Sequence, residues 1–176
     1  MSQAHNHIEW CMAKAEKEIL ESKKLGKSPK HRGLLKIKQN IKAAEDHISK
    51  AEHNFRAISR FKEIEFSDWS IAAGFYSVYH CFLAIAFKFG YESRNQTCTI
   101  SLMQWLKEEG KIKINSRLID MLKQTDIEEF SESKVIEMRE EYTYGTKVSF
   151  DDESKIKKLK EDCREAIDAA KEIIYR

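Results

Sequence analysis

Apolar positions recur every three or four residues through most of this chain, with polar residues filling the gaps. The clearest run is Leu34, Ile37, Ile41, Ala44, Ile48, Ala51, Phe55 and Ile58. Its steps of three and four alternate without a break, which puts all eight on one seam of a helix. That seam predicts a helix of about 28 residues, roughly 42 Å long, with a charged opposite face. A second seam near the C-terminus runs Ile156, Leu159, Cys163, Ala166, Ala170 and Ile173, and Asp151 stands where it would cap that helix. A third, Ile8, Cys11, Ala15 and Ile19, predicts a helix over 6–25 that Gly26 ends.

Between these lies "SDWSIAAGFYSVYHCFLAIAFKFG", apolar nearly all round, opened by Ser67 and closed by Gly90. Its length would also suit a membrane span. Ser70, Gly74, Ser77, His80 and the polar-tipped aromatics argue against that, as do flanking amphipathic helices that need something to pack on. A helix apolar on every side is the central rod of a bundle. Shorter helices are expected over 99–109, stopped by Gly110, and over 116–123, capped by Asn115. Another is expected over 133–144, with Val135, Met138 and Tyr142 on one side and Gly145 closing it. The expected fold is all-α, an antiparallel up-and-down bundle of four to five long helices plus short additions. Residues 1–33 supply an N-terminal helix and a basic loop, and 34–176 the bundle, in one compact domain. Composition agrees: one proline, Pro29, and six glycines leave too few turn residues for a β-rich fold.

Net charge is only +2, but it is unevenly spread. Lys23, Lys24, Lys27, Lys30, Arg32, Lys36, Lys38 and Lys42 fall in a stretch without an acid, around the loop "GKSPKHRG". Such a patch can meet phosphates or an acidic protein face, or be a solvated loop. From Asp126 to Glu141 seven acids stand against Lys134 and Arg139. Cys11, Cys81, Cys98 and Cys163 are scattered in apolar surroundings with no C-x-x-C pair, and read as reduced core thiols of a cytoplasmic protein. "MSQAHNHIEW" lacks the apolar core of a signal peptide; His5 and His7 read as part of a flexible polar start rather than as metal ligands.

The motifs of phosphate loops, zinc proteases, nucleophile elbows and EF-hands are absent. A carboxylate-bridged metal site needs Glu-x-x-His pairs, yet Ser77 stands three before His80, Glu45 two before His47, and Glu52 beside His53. No metal and no cofactor is therefore expected. Tyr76, Tyr79 and His80 share one helical surface and could line a polar notch, with Arg139 or a nearby acid as partner. The octet "MREEYTYG", residues 138–145, sets one arginine and two tyrosines among acids at a predicted helix end.

The run "FSDWSIAAGFYSVYHCFLAIAFKFGYESRNQT" resembles the middle of a HEPN domain: an apolar helix with a Tyr-His pair, then Gly-Tyr, then a polar turn. "REEYTYG" falls where that family carries its arginine motif, and the resemblance covers roughly 40–175. It implies a dimer. It implies, for active ribonucleases of the family, a metal-independent mechanism built on R-x(4–6)-H: the histidine moves a proton as the 2′-OH attacks, and the arginine steadies the phosphorane. Here the arginine is Arg139, and the positions due for histidine hold Tyr144, Gly145 and Thr146. A phenol, ordinarily near 10 against 6.5 for imidazole, is a poor general base at neutral pH, and Glu140 and Glu141 would repel an RNA backbone.

Three readings follow. The first is a dimeric module that binds nucleotide, RNA or a partner protein without catalysis, through Arg139, Tyr142, Tyr144, Tyr79, His80, Arg94 and Asn95. By the resemblance, its partner would be a nucleotidyltransferase of a toxin–antitoxin-type pair. The second is an endoribonuclease with a rewired site, using Arg139, Tyr144 and His80. The third is a dimerisation scaffold whose basic 23–42 segment docks on an acidic surface; Arg139 would then serve only a helix end. No membrane association is expected.

Overall fold

The computed structural model describes residues 2–123, 135–150 and 152–176. In chain order the elements are α1 (Gln3–Lys24), β1 (Leu34–Lys36), α2 (Ile41–Glu63), α3 (Asp68–Lys88), β2 (Tyr91–Ser93), α4 (Gln96–Glu108), α5 (Ser116–Asp120), α6 (Val135–Tyr144) and α7 (Glu153–Tyr175). The all-α bundle expected from the seams is present. One antiparallel two-stranded ribbon joins it, with Leu34 opposite Ser93, Leu35 opposite Glu92 and Lys36 opposite Tyr91.

Helix α3 is the middle of the bundle because it can be covered on nearly every side. It forms a hairpin with α2, and α7 and α6 pack against its other faces. By length and composition it could cross a membrane, but 78% of its most apolar window is buried inside the fold. Its buried serines are satisfied by the neighbouring helix α2. Ser70 donates to the Ile58 carbonyl at 2.8 Å and Ser77 to the Ala51 carbonyl at 3.0 Å. Gly74 lets α7 come close: a Cβ there would stand 2.6 Å from Leu159 Cδ2.

The long seam from Leu34 is cut short. Residues 34–36 pair with β2, the Ile37 amide donates to the Gly90 carbonyl at 2.8 Å, and α2 begins only at Ile41. Asn40 sets that start by accepting from the Ala43 amide. Leu34 is fully buried in either reading, so its spacing could not tell strand from helix. Gly90 makes the turn from α3 into β2 at φ +77°, in the left-handed region where glycine is unstrained.

Other boundaries shift in the same way. Helix α4 starts at Gln96, three residues before the expected start, because Asn95 caps it through the Cys98 amide. The helix that Asn115 caps ends at Asp120. Helix α7 is capped by Asp152, which accepts from Lys155; Asp151 lies outside the described residues, as do residue 133 and the Val135 side chain. The polar N-terminus is helical rather than flexible, with Ser2 accepting from the His5 amide.

Helix α1 packs on α4 and β1. A disulfide joins Cys11 to Cys98 across that contact, with Cα atoms 5.9 Å apart. This corrects the expectation of four reduced thiols: two sulfurs 87 residues apart are brought together by a helix pairing that no local spacing announces. Cys81 and Cys163 are free and buried. Burial pushes both thiols up, Cys163 to about 12, so they stay protonated.

Candidate functional site

Arg139 projects from the middle of α6 onto α3. Its guanidinium carbon lies 4.2 Å from the centre of the Phe75 ring, and only 13% of the side chain is exposed. This is a cation–π contact on a buried ring, which fixes the guanidinium plane. Its Nε is buried without a hydrogen-bond partner, and its terminal nitrogen lies 3.8 Å from Glu140, beyond hydrogen-bond reach. Among the described residues, Arg139 thus rests on an aromatic face with its Nε–H unspent.

The aromatic face continues along α3. Phe75 and Tyr79, one helical turn apart, stack with centroids 6.1 Å apart, and Tyr76 meets Phe75 edge-on. Tyr79 shares a hydrogen bond with Thr99 at 3.3 Å; burial pushes its phenol up, and the Thr99 contact opposes that. His80 finds its partner on α2: its Nδ1 lies 2.9 Å from Nδ1 of His47, and Phe87 stacks on His47 from another side. The expected notch partner, Arg139 or an acid beside it, is therefore replaced by His47. Burial holds His80 down at about 4, helped by Lys50 and by the cost of a second charge beside His47. Burial also lowers His47, against Asp46. Two neutral imidazoles, one donating to the other, are the consistent state at neutral pH.

The end of α6 does different work. Tyr142 packs edge-on against Phe150, whose amide donates to Ser67 at the start of α3. Tyr144, at one of the three positions due for the motif histidine, is 77% exposed. Lys147 pairs with Glu141, so one of the acids beside Arg139 is partly neutralised.

The remaining candidates gather elsewhere. The β1–β2 ribbon brings the basic loop beside Arg94, whose amide donates to the Gly33 carbonyl. Lys27, Lys30, Arg32, Arg94, His31 and Glu18 line a cleft of about 480 Å³. Arg94 pairs with Glu92 at 2.7 Å. Glu18 accepts from the backbone of Arg32 rather than from its guanidinium. Among the described residues, Lys23, Lys24, Lys27, Lys30, Arg32, Lys36 and Lys38 have no acidic partner, whereas Lys42 pairs with Asp46. His31, only 4% exposed at its side chain, turns Nε2 toward Glu92 at 3.5 Å without a hydrogen bond. Asn95 is spent as the cap of α4.

The predicted set therefore divides. Arg139, Tyr79 and His80 follow one column along α3, with the Phe75 and Tyr79 rings between the guanidinium and the imidazole; Tyr142 closes the end of α6. Arg94 belongs to the basic cleft. Sequence reasoning missed Phe75 and His47. Phe75 stands one turn before Tyr79, so the i,i+4 rule applied backwards would have found it; His47 sits 33 residues from its partner and gave no signal of its own.

A bundle in which a core helix carries Tyr-His and a later helix sets an arginine against it defines a class of small helical domains. The sequence model of the HEPN domain matches residues 44–176, well over half of the chain, and the chain belongs to that family. No curated protein gives a significant match.

Proposed function

We propose that this chain is a non-catalytic HEPN module that binds phosphate-bearing ligands, RNA or nucleotide, as a cytoplasmic homodimer. The observation that carries the reading is the condition of Arg139: its guanidinium is pinned on Phe75 with Nε unpartnered, while the imidazole that catalysis would need is tied to His47. An arginine so placed can clamp a phosphate without a proton donor or acceptor beside it. Lys27, Lys30 and Arg32 at the basic cleft, with Lys23, Lys24, Lys36 and Lys38 near them in sequence, supply the longer-range attraction such a ligand needs. For the dimer, the support is Trp69 and Tyr76, 49% and 44% exposed and two turns apart on a helix whose other residues are buried or half-buried. By the family, the dimer's protein partner is a nucleotidyltransferase in a toxin–antitoxin-type pair.

Fluorescence anisotropy with a labelled single-stranded RNA tests the reading. Affinity should fall steeply as salt rises. The triple variant Lys27→Ala, Lys30→Ala, Arg32→Ala should lower the salt slope by about two units if each cation neutralises most of one phosphate charge. A wild-type protein that shows no binding at low salt would contradict it.

A further inference from the structure

We propose that His7, Cys11 and Cys98 bind a zinc ion when the Cys11–Cys98 disulfide is reduced. The imidazole nitrogen and the two sulfurs all lie within 4.8 Å of one another. His7 and Cys11 are four residues apart on α1 and so share one face of that helix. Cys98 comes from the first turn of α4, where its own amide is held by Asn95. Three ligands from two packed helices are thus already converged.

The required movement is small. Zinc takes sulfur at about 2.3 Å, which in a tetrahedral site sets the sulfurs about 3.8 Å apart. With the two Cα atoms 5.9 Å apart, side-chain rotation in the reduced pair can reach that spacing without separating the helices. Both cysteines are fully buried, while His7 is half-buried and lines a cleft of about 500 Å³ beside α4. The cleft gives His7 a side open to solvent, from which an ion can arrive. One nitrogen and two thiolates suit zinc and exclude magnesium and calcium, which take oxygen ligands.

The chemistry balances as follows. A dithiol reductant is oxidised to its own disulfide; the Cys11–Cys98 bond accepts the two electrons, and each sulfur takes a proton. Zinc then displaces both thiol protons to solvent and takes the neutral His7 imidazole. A reducing cytoplasm favours the open pair, an oxidising one the closed. Either cross-link ties α1, which precedes the matched family span, to α4 inside it.

The test uses the full chain, reduced with a dithiol, freed of excess reductant without air, and titrated with cobalt(II) as the probe. We expect a thiolate-to-cobalt absorption band that saturates at one ion per chain and is erased by added zinc. The oxidised protein should lack the band. Cys98→Ser should lose it, while Cys81→Ser, at a free thiol outside the trio, should keep it. His7→Ala is the variant least open to misfolding, since His7 is half-buried; it should keep the disulfide by mass spectrometry yet weaken cobalt binding at least about tenfold. A reduced wild type without the band overturns the proposal. Unchanged affinity in a His7→Ala protein with native circular dichroism overturns it equally.

Discussion

At the residue scale, the account turns on which polar side chains are spoken for. Arg139 has its stacking partner, yet its Nε has no hydrogen bond among the described residues, and His80 has its hydrogen bond but no route to Arg139 except across two rings. The sequence showed Arg139 through its motif, and showed the missing histidine by simple counting. It could not show that His80 would be claimed by His47, because that contact exists only once α2 and α3 are packed. The pair carries a pH signature. His80 titrates near 4 when folded and near 6.5 when unfolded, so the unfolded chain binds the extra proton between those values. Stability from this residue is complete above pH 6.5 and is lost as pH falls toward 4. Allowing for its partial exposure, the loss is roughly 1–2 kcal/mol. Thermal melts should give a Tm about 2–6 °C lower at pH 5 than at pH 7. In His80→Gln that difference should shrink.

At the element scale, most helices were legible and their ends were not. Periodicity locates a buried face, and α2 and α7 follow theirs. A seam cannot report where hydrogen bonding changes partner, and so Leu34 and Ile37 were assigned to the helix although they enter a ribbon and its turn. The caps were partly readable. Asn40 and Asn95 each stand three residues before the amide they hold, a spacing present in the sequence. The α3–α7 crossing rests on Gly74, whose missing side chain Leu159 fills. Gly74→Val should destabilise the protein by about 1–3 kcal/mol through overpacking, read as a lowered denaturation midpoint with unchanged slope. The exposed stripe of α3 makes a separate prediction. The double variant Trp69→Glu, Tyr76→Glu should sediment as a monomer where wild type sediments as a dimer; a wild-type monomer, or a variant dimer, contradicts the proposed interface.

At the scale of the whole molecule, the chain joins two regions that its sequence keeps apart. The β1–β2 ribbon and the Cys11–Cys98 bridge fasten α1 and the basic loop to the strand and helix that follow α3. Neither could be foreseen, since both pair segments more than fifty residues apart without a compositional mark. The charge asymmetry was legible, and the fold makes it sharper: among the described residues seven cations have no acidic partner while Lys42, outside the loop, finds Asp46. The family, the bundle and the central rod were all readable; the division of the candidate residues between an α3–α6 column and a basic cleft was not. The central claim is that the module grips phosphate through Arg139 and does not cut it. Incubation with RNA in excess EDTA, read both on a gel and by retention of labelled RNA, addresses both halves at once. The account predicts intact RNA, bound by wild type and bound at least about tenfold more weakly by Arg139→Ala. Cleavage products that form with wild type and vanish with Arg139→Ala would contradict it.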